Sequence, residues 1–247
     1  MTDQPKLFIE EALKPLDNYP GRKAAAGAWQ KIISEIPKCE LFIDAMCGSS
    51  FIASTVKGCH RIINDINRSI IDKIAYTAAD TTFENRDYRE VIKRYDNGSP
   101  GRVFYFDPPY LMETRSYKRP IYKYEWNDKD HSDFIKIMQG MQCPTLISHY
   151  PCPLYDRAFK RWRKISYNSM TRAGVRVENL YMNFPQPVLL QCFEHIGDNF
   201  TDRQRIKRKV QRHIARLQKE DPQERAAILS SIIAEFDYVI SARKLQA

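Results

Sequence analysis

Short apolar runs alternate with longer helix-like segments along most of the chain, and this alternation most constrains the fold. Between the runs, SIIDKIAYTAA and HSDFIKIMQGM repeat apolar residues at helical spacing. Strands that alternate with helices form a mostly parallel sheet with helices on both faces. The sequence therefore predicts an α/β fold with a doubly wound sheet, whose strands include LFID at 41–44, RIIND at 61–65, VFYF at 103–106 and TLIS at 145–148.

The last third of the chain has a different pattern. WRKISYN and ENLYMNF flank TRAG and predict an antiparallel hairpin at the far side of the sheet. From Thr201 onward two helices are expected: Thr201 and Gln204 have the spacing of a capping box, and Asp221 followed by Pro222 marks a second start. We expect an α/β domain at 1–199 and a basic two-helix appendage at 200–247.

Composition narrows the class of protein. With 247 residues, 43% of them hydrophobic, the chain is long enough for one full core plus a small appendage. The net charge of +9 favours a polyanionic partner, although a solvated basic surface gives the same balance. The six cysteines form no C-x-x-C pair, and no run approaches a membrane span or a signal peptide. We expect a cytoplasmic protein with reduced thiols, no membrane segment and no structural metal.

Polar residues follow each of the first strands. The first strand ends in Asp44 with Gly48 in the turn, and the second ends in Asn64 and Asp65. Ligands of doubly wound sheets bind at the carboxyl ends of the strands, where an acid after the glycine turn can hold a ribose hydroxyl. Asp65 could equally cap a helix. The phosphate-binding patterns G-x-G-x-x-G and G-x-x-x-x-G-K are absent, which disfavours a nucleoside triphosphate or a simple dinucleotide.

The strand at 103–106 ends in Asp107, Pro108, Pro109 and Tyr110. A proline pair can simply stop a strand, but that reading explains neither the acid nor the aromatic ring. The combination suits a planar amino group on a heterocycle: Asp107 and the Pro108 carbonyl accept its hydrogens and free the nitrogen lone pair for attack. Tyr110 could stack on the ring. We therefore predict Asp107, Pro108 and Tyr110 as catalytic residues.

These motifs resemble the DNA adenine N6-methyltransferases of the Dam type, including phage members with a motif like YPGGK. The resemblance covers about residues 14 to 190 and rests on DPPY at 107–110, YPGRK at 19–23 and NDIN at 64–67, with weaker similarity in NRDY, DHSDF and TRAGVRVENLYMNF. It implies a Rossmann-like methyltransferase fold with a mixed, mostly parallel sheet and S-adenosylmethionine as the methyl donor. The cofactor-binding residues implied by the resemblance are Tyr19, Lys23, Asp44, Gly48, Asp65, Asp87, Tyr88 and Asp107.

The chain departs from the family pattern in three places. Arg22 and Ser50 stand where the family has glycines. Dam-type enzymes usually carry a target-recognition domain between the acids that correspond to Asp65 and Asp107, but only 42 positions separate them here.

The loop after Tyr110 mixes basic and aromatic residues, which suits phosphate contact and base stacking, although it could be a solvated loop. The predicted nucleic-acid contacts in this loop are Arg115, Tyr117, Lys118, Arg119, Tyr122 and Lys123.

The first C-terminal helix carries eight basic residues and no acid between Arg203 and Lys219. An apolar stripe from Ile206 to Leu217 is expected to dock on the body or on the second helix. The basic face could hold the DNA backbone through Arg205, Arg208 and Arg212, or it could be a solvated surface. The chain could be a monomer or a homodimer through its second helix.

We therefore predict methyl transfer from S-adenosylmethionine to the N6 of adenine in DNA, with short or relaxed sequence specificity. Two alternatives stay open: an adenine N6-methyltransferase that acts on RNA, and a catalytically idle nucleic-acid-binding module on the same fold. The related glutamine and N4-cytosine enzymes fit less well, because their motifs begin with asparagine and serine where this chain has Asp107.

Overall fold

The computed structural model describes residues 13–24, 27–74, 80–116, 118–171 and 174–244, with side chains described up to 236. Its centre is a seven-stranded sheet in the order β3-β2-β1-β4-β5-β7-β6. The strands are β1 Leu41–Asp44, β2 His60–Asn64, β3 Thr81–Glu84, β4 Arg102–Phe106, β5 Thr145–His149, β6 Arg163–Thr171 and β7 Gly174–Met182.

Strand directions confirm the predicted mixed sheet. The first five strands run parallel, whereas β7 is antiparallel to both β5 and β6. The four strands predicted from apolar runs and the β6–β7 hairpin are all present. The sequence did not indicate β3, which has one apolar residue, Phe83, and lies at the sheet edge.

Helices cover both faces of the sheet. They are α1 Ala28–Ile33, α2 Phe51–Thr55, α3 Arg68–Ile74, α4 Tyr88–Tyr95, α5 Asp128–Gln139 and α6 Pro153–Ala158, and a short 3-10 helix spans Met112–Thr114. One buried cluster lies under α1 to α3 and the other under α4 to α6. No helix within the described ranges is long and apolar enough to cross a membrane.

The predicted appendage consists of α7 Phe200–Leu217 and α8 Pro222–Lys244. The predicted capping box at Thr201 is wrong, because the side chain of Asn199 accepts a hydrogen bond from the Asp202 amide and caps α7. Asp221 accepts from the Gln223 amide and caps α8, as expected. The apolar stripe is not docked as predicted, since Val210 and Ile214 remain 41% and 49% exposed.

Candidate active site

The glycine turn after β1 forms one wall of a cavity at the carboxyl edge of the sheet. Gly48 has φ of +48° and its amide donates to Asp65 Oδ2 at 3.0 Å, so the turn is fastened to the end of β2. A Cβ at position 48 would lie 2.6 Å from Cε1 of Tyr19, which explains why only glycine fits there. Tyr19 thus packs directly on the turn, and its contact with the cofactor stays a prediction.

Three acids line this cavity from successive strands. Asp44 ends β1, and Asp65 follows β2 and also accepts from the Asn67 amide at 2.8 Å. Asp87 caps α4 by accepting from the Arg89 amide at 2.8 Å. Asp65 lies on the cavity wall, and its carboxylate organises the local backbone. It does not cap α3, because the Ser69 amide donates to Asn67, and its contact with a ribose hydroxyl stays a prediction. Tyr88 lines the cavity beside Asp87 and packs on Phe106, Phe134 and Trp126.

Asp107 follows β4 and pairs with a buried lysine. The Lys23 ammonium lies 3.0 Å from Asp107 Oδ1 and 3.2 Å from Glu178 Oε2, and it donates to the Tyr110 hydroxyl at 2.6 Å. Burial raises the pKa of Asp107 to about 6, against the opposing effect of Lys23. Burial lowers the pKa of Lys23, but the two carboxylates outweigh it and raise that pKa well above its usual value. Lys23 is therefore a charged partner of the DPPY acid as well as a cavity residue.

Tyr110 is held by its hydroxyl and by its ring. The hydroxyl donates to Glu178 Oε2 at 2.8 Å. The ring centroid lies 4.9 Å from that of His149 and 4.6 Å from that of Tyr150, and the residue is only 9% exposed. His149 Nε2 also accepts from the Leu111 amide at 3.1 Å, which fixes the chain just after the motif. Stacking of a base on Tyr110 remains a prediction.

The loop after Tyr110 closes over the cavity. Arg115 forms two hydrogen bonds with the Glu125 carboxylate, at 2.6 and 2.8 Å. The same carboxylate accepts from the amides of Ile121, Tyr122 and Trp126 at 3.0 to 3.4 Å. This clamp brings the segment from Tyr122 to Trp126 onto the cavity wall.

The residues predicted to contact nucleic acid therefore differ in their burial and surroundings. Arg115 is buried and bonded to Glu125, so in this arrangement its guanidinium does not face a phosphate, contrary to the prediction. Tyr122 lies on the cavity wall, with its ring centroid 6.2 Å from that of Tyr19. Tyr117 lies outside the described residues. The remaining contacts are exposed: Lys118, Arg119, Lys123, Arg205, Arg208 and Arg212.

Two substituted glycine positions have different consequences. Arg22 points away from the cavity, pairs with Asp17 at 2.9 Å and lies over the ring of Phe51. Ser50 keeps the left-handed backbone of a glycine, with φ of +59°, and its hydroxyl has no hydrogen-bond partner among the described residues. The first change leaves the cavity wall intact, whereas the second strains the turn.

The cavity is close in size to a small-molecule site, and its charge suits S-adenosylmethionine. Its volume of about 290 Å³ is at the lower end for small-molecule sites. Asp44 is almost fully buried, and its Oδ1 has no hydrogen-bond partner in the described part of the chain. Burial, followed by the nearby Asp107 and Asp65, raises the pKa of Asp44 well above its usual value. A ligand with a positive charge near Asp44 would offset this unfavourable burial.

A Rossmann-like sheet with acids of three successive strands around one cavity is typical of proteins that bind a nucleoside-containing ligand at the carboxyl ends of the strands. Residues 68–174 match the family model of the D12 class N6 adenine-specific DNA methyltransferases. The match spans fewer than half of the 247 residues, and it confirms the predicted activity class and cofactor. No curated protein matches the chain significantly in sequence.

Several solved structures are similar to this chain at low sequence identity. A precorrin-8w decarboxylase of Methanobacterium thermoautotrophicum is 11% identical, with 69% of this chain and 96% of that chain covered and a TM-score of 0.44. An rRNA methylase of Streptococcus thermophilus is 10% identical, with 62% and 92% covered and a TM-score of 0.38. The magnesium protoporphyrin IX methyltransferase of Synechocystis PCC 6803, solved with bound SAM, is 10% identical, with 62% and 74% covered and a TM-score of 0.38. The likenesses are weak, so the fold assignment rests on the strand order itself.

Sequence reasoning missed several residues of the site. Glu178 lies in TRAGVRVENLYMNF, a segment that resembles the family, but nothing in the sequence showed that its carboxylate meets Lys23. Glu125 and Trp126 belong to the basic aromatic loop, whose composition pointed to nucleic acid rather than to the cavity. His149 gave no signal, because a histidine at the end of a buried strand is usual in many folds.

Proposed function

We propose that the whole chain transfers a methyl group from S-adenosylmethionine to the N6 of adenine in DNA. The observation that carries this proposal is the carboxylate of Asp107, which lies on the cavity wall with one oxygen beside the Lys23 ammonium. The other oxygen, Oδ2, then serves as the acceptor for a hydrogen of the target amine. Withdrawal of that hydrogen localises the nitrogen lone pair and favours attack on an electrophilic carbon.

The remaining residues divide into two groups around Asp107. Asp44, Asp65 and Asp87 would hold the cofactor, which when bound supplies an electrophilic methyl group on a sulfonium. Pro108 would add its carbonyl as a second acceptor for the amine, and Tyr110 would bound the base. The loop from Tyr122 to Trp126 lies on the cavity wall and would limit access of water.

The target adenine must leave the duplex before it can reach Asp107. The N6 amine of a paired adenine lies inside the stack, so we propose a flipped-base mechanism. Exposed basic side chains would hold the phosphates on either side: Lys118, Arg119 and Lys123 in the loop, and Arg205, Arg208 and Arg212 on α7. A DNA substrate and the free thiols of the described cysteines support a cytoplasmic location.

The test is transfer of label from S-adenosylmethionine to unmethylated genomic DNA. The expected product is N6-methyladenine. Asp107→Ala should give only background incorporation, whereas Asp72→Ala, which changes an exposed acid on α3, should behave as wild type. Label in cytosine would contradict the proposal, and label only in an RNA arm of the same assay would support the RNA alternative instead.

We also propose that the sequence specificity is short or relaxed. Between Asp65 and Asp107 the described residues form only α3, β3, α4 and β4, and the interval of 42 positions leaves no room for a separate recognition domain. Few side chains are then positioned to read bases beyond the target adenine. Long-read sequencing of DNA from an expressing host would report the methylated motif, and a strict motif of four or more defined bases would contradict this proposal.

A further inference from the structure

Glu178 is a buried acid to which the family resemblance assigns no role. It lies on β7, is only 3% exposed, and its Oε2 meets Lys23, Tyr110 and Tyr167. Buried carboxylates are retained at a cost unless they are paired and hydrogen-bonded. A buried acid on the far side of the lysine that contacts the catalytic acid therefore indicates a role at the site.

The strand register explains how Glu178 reaches this position. β5 ends at His149, which pairs with Asn179, so Glu178 lies one residue beyond the end of β5 at the carboxyl edge of the sheet. Its partner across the hairpin is Tyr167, whose hydroxyl donates to it at 3.2 Å. The hairpin thus delivers an acid and a phenol to the same edge as Asp107.

The contacts of the Lys23 ammonium combine one hydrogen bond with two ion pairs. The ammonium donates to the Tyr110 hydroxyl at 2.6 Å, and it lies 3.0 Å from Asp107 Oδ1 and 3.2 Å from Glu178 Oε2. Tyr110 in turn donates to Glu178 at 2.8 Å. Two carboxylates therefore share one ammonium. The more strongly Lys23 interacts with Glu178, the less strongly it interacts with Asp107.

We propose that Glu178 is a positioning residue of methyl transfer: it shares the Lys23 ammonium with Asp107 and so regulates how strongly Asp107 accepts the hydrogens of the target amine. This inference rests on the proposed function and deepens it. Glu178 does not line the cavity, and it acts through Lys23 and Tyr110.

The electrostatics of the cluster agree with this arrangement. Burial raises the pKa of Asp107 to about 6; Lys23 opposes this and Glu178 adds to it. Burial also raises the pKa of Glu178, but Lys23 and the Tyr110 hydroxyl hold it below its usual value. The other titratable groups that interact with Asp107 keep raised pKa values, mainly because of burial: Asp44, Tyr19, Tyr105, Tyr110, Tyr122 and Tyr167.

The two partners of Asp107 should act in opposite directions. Glu178→Gln removes a negative charge and leaves the ammonium to Asp107, so the pKa of Asp107 should fall. Lys23→Met removes the positive charge, so that pKa should rise. Because the ionised carboxylate is the acceptor, activity is present above the pKa of Asp107 and is lost as pH falls through it. The acidic limb of the rate profile should therefore move down in Glu178→Gln and up in Lys23→Met.

The direct test is a 13C titration of the aspartate carboxyl groups in the full-length protein without cofactor. Asp107→Asn identifies the Asp107 resonance by its loss. We expect a midpoint near 6 in the wild type, a decrease of about one pH unit in Glu178→Gln, and an increase in Lys23→Met. Glu35→Gln is the matched control, because it removes a mostly buried acid that pairs with Arg163 at 2.8 Å and does not line the cavity. Its Asp107 midpoint should equal that of the wild type.

An unchanged or raised midpoint in Glu178→Gln would overturn the inference. If Lys23→Met does not fold, the double change Lys23→Met with Glu178→Gln removes one charge of each sign, and its midpoint should lie above that of Glu178→Gln alone. The pH dependence of kcat on DNA gives a second readout. If the wild type methylates no DNA, the proposed function is refuted and the titration remains valid. If the wild type is active and the acidic limb of the rate profile does not move in the variants, only the role of Glu178 is refuted.

Discussion

The sheet and the C-terminal helices place their apolar side chains in opposite ways. In the sheet, Phe104 and Phe106 are fully buried, and Phe106 packs on Tyr88 and Phe134. In α7 no residue is buried, and the described large apolar side chains of α8 are 38% to 61% exposed. Most helices in proteins are stabilised by packing of an apolar face. The apolar side chains of the sheet are therefore covered within one chain, whereas α7 and α8 expose apolar side chains together with a basic face.

This difference separates two kinds of function. The acids that meet around Asp107 need fixed positions, because a displacement of about 1 Å can cost roughly 100-fold in rate. A helix that holds phosphates needs only charge and reach, since such contacts position the protein without reading bases. Rigid burial therefore suits the cavity, and an exposed basic helix suits a polymer of variable sequence.

The largest expected effect compares one substitution in the two regions. Phe106→Ala should lower the free energy of unfolding by about 3–5 kcal/mol, because it leaves a cavity in the core. Phe200→Ala, at a residue that is 69% exposed, should change it by less than about 0.5 kcal/mol. Urea denaturation of both variants measures the difference. A large effect of Phe200→Ala that depends on protein concentration would show instead that a second copy of the chain covers α7.

The second prediction concerns the loop that closes the cavity. Glu125→Gln should weaken S-adenosylmethionine binding about tenfold, because loss of the charge loosens the bidentate bond to Arg115 and three amide contacts. Isothermal calorimetry measures the change. Glu113→Gln removes an exposed acid of the same loop and should bind as wild type. Equal affinity in all three proteins would mean that the loop has no part in cofactor binding.

The same two regions show how far sequence reasoning can reach. Runs such as VFYF were identified as strands because four or five apolar residues between turns suit a strand buried on both faces. Parallel strands have their carboxyl ends at the same edge of a sheet, so the sequence predicted that one site contains Asp44, Asp65 and Asp107. TTFE was missed because an edge strand needs little apolar surface.

Other parts of the site were not predictable for physical reasons. Lys23 and Glu178 are 155 positions apart, and neither spacing nor period indicates a contact over that distance. The ion pair between Arg115 and Glu125 was not predicted. Basic and aromatic residues suit both a loop that binds phosphates and a loop that is held together by an internal ion pair. The undocked stripe of α7 shows that helical spacing predicts an amphipathic helix but not its partner.

The third prediction tests whether the basic face of α7 holds DNA. Arg205→Ala, Arg208→Ala and Arg212→Ala together should weaken DNA binding and reduce the salt slope by about one unit for each lost phosphate contact. The methylated motif should not change. Arg157, Lys160 and Arg161 provide a matched control, since they are also exposed and basic but lie at the end of α6 and just after it. A folded α7 variant with unaltered affinity and slope would assign the helix a structural role.

The smallest expected effect comes from the strained turn beside the cavity. Ser50 is the one described residue other than glycine with a positive φ, and its buried hydroxyl has no partner among the described residues. Glycine removes the cost of the left-handed backbone, about 1–2 kcal/mol. Glycine also gives the unfolded chain more conformational freedom, which lowers the free energy of unfolding by about 0.4–1 kcal/mol. Ser50→Gly should therefore raise the free energy of unfolding by about 0.8 kcal/mol, the middle of a range from roughly 0 to 1.6 kcal/mol, measured by urea denaturation. Ser49→Gly, at a neighbouring position with ordinary backbone, should lower it, and a loss of stability in Ser50→Gly would show that the turn depends on the serine side chain.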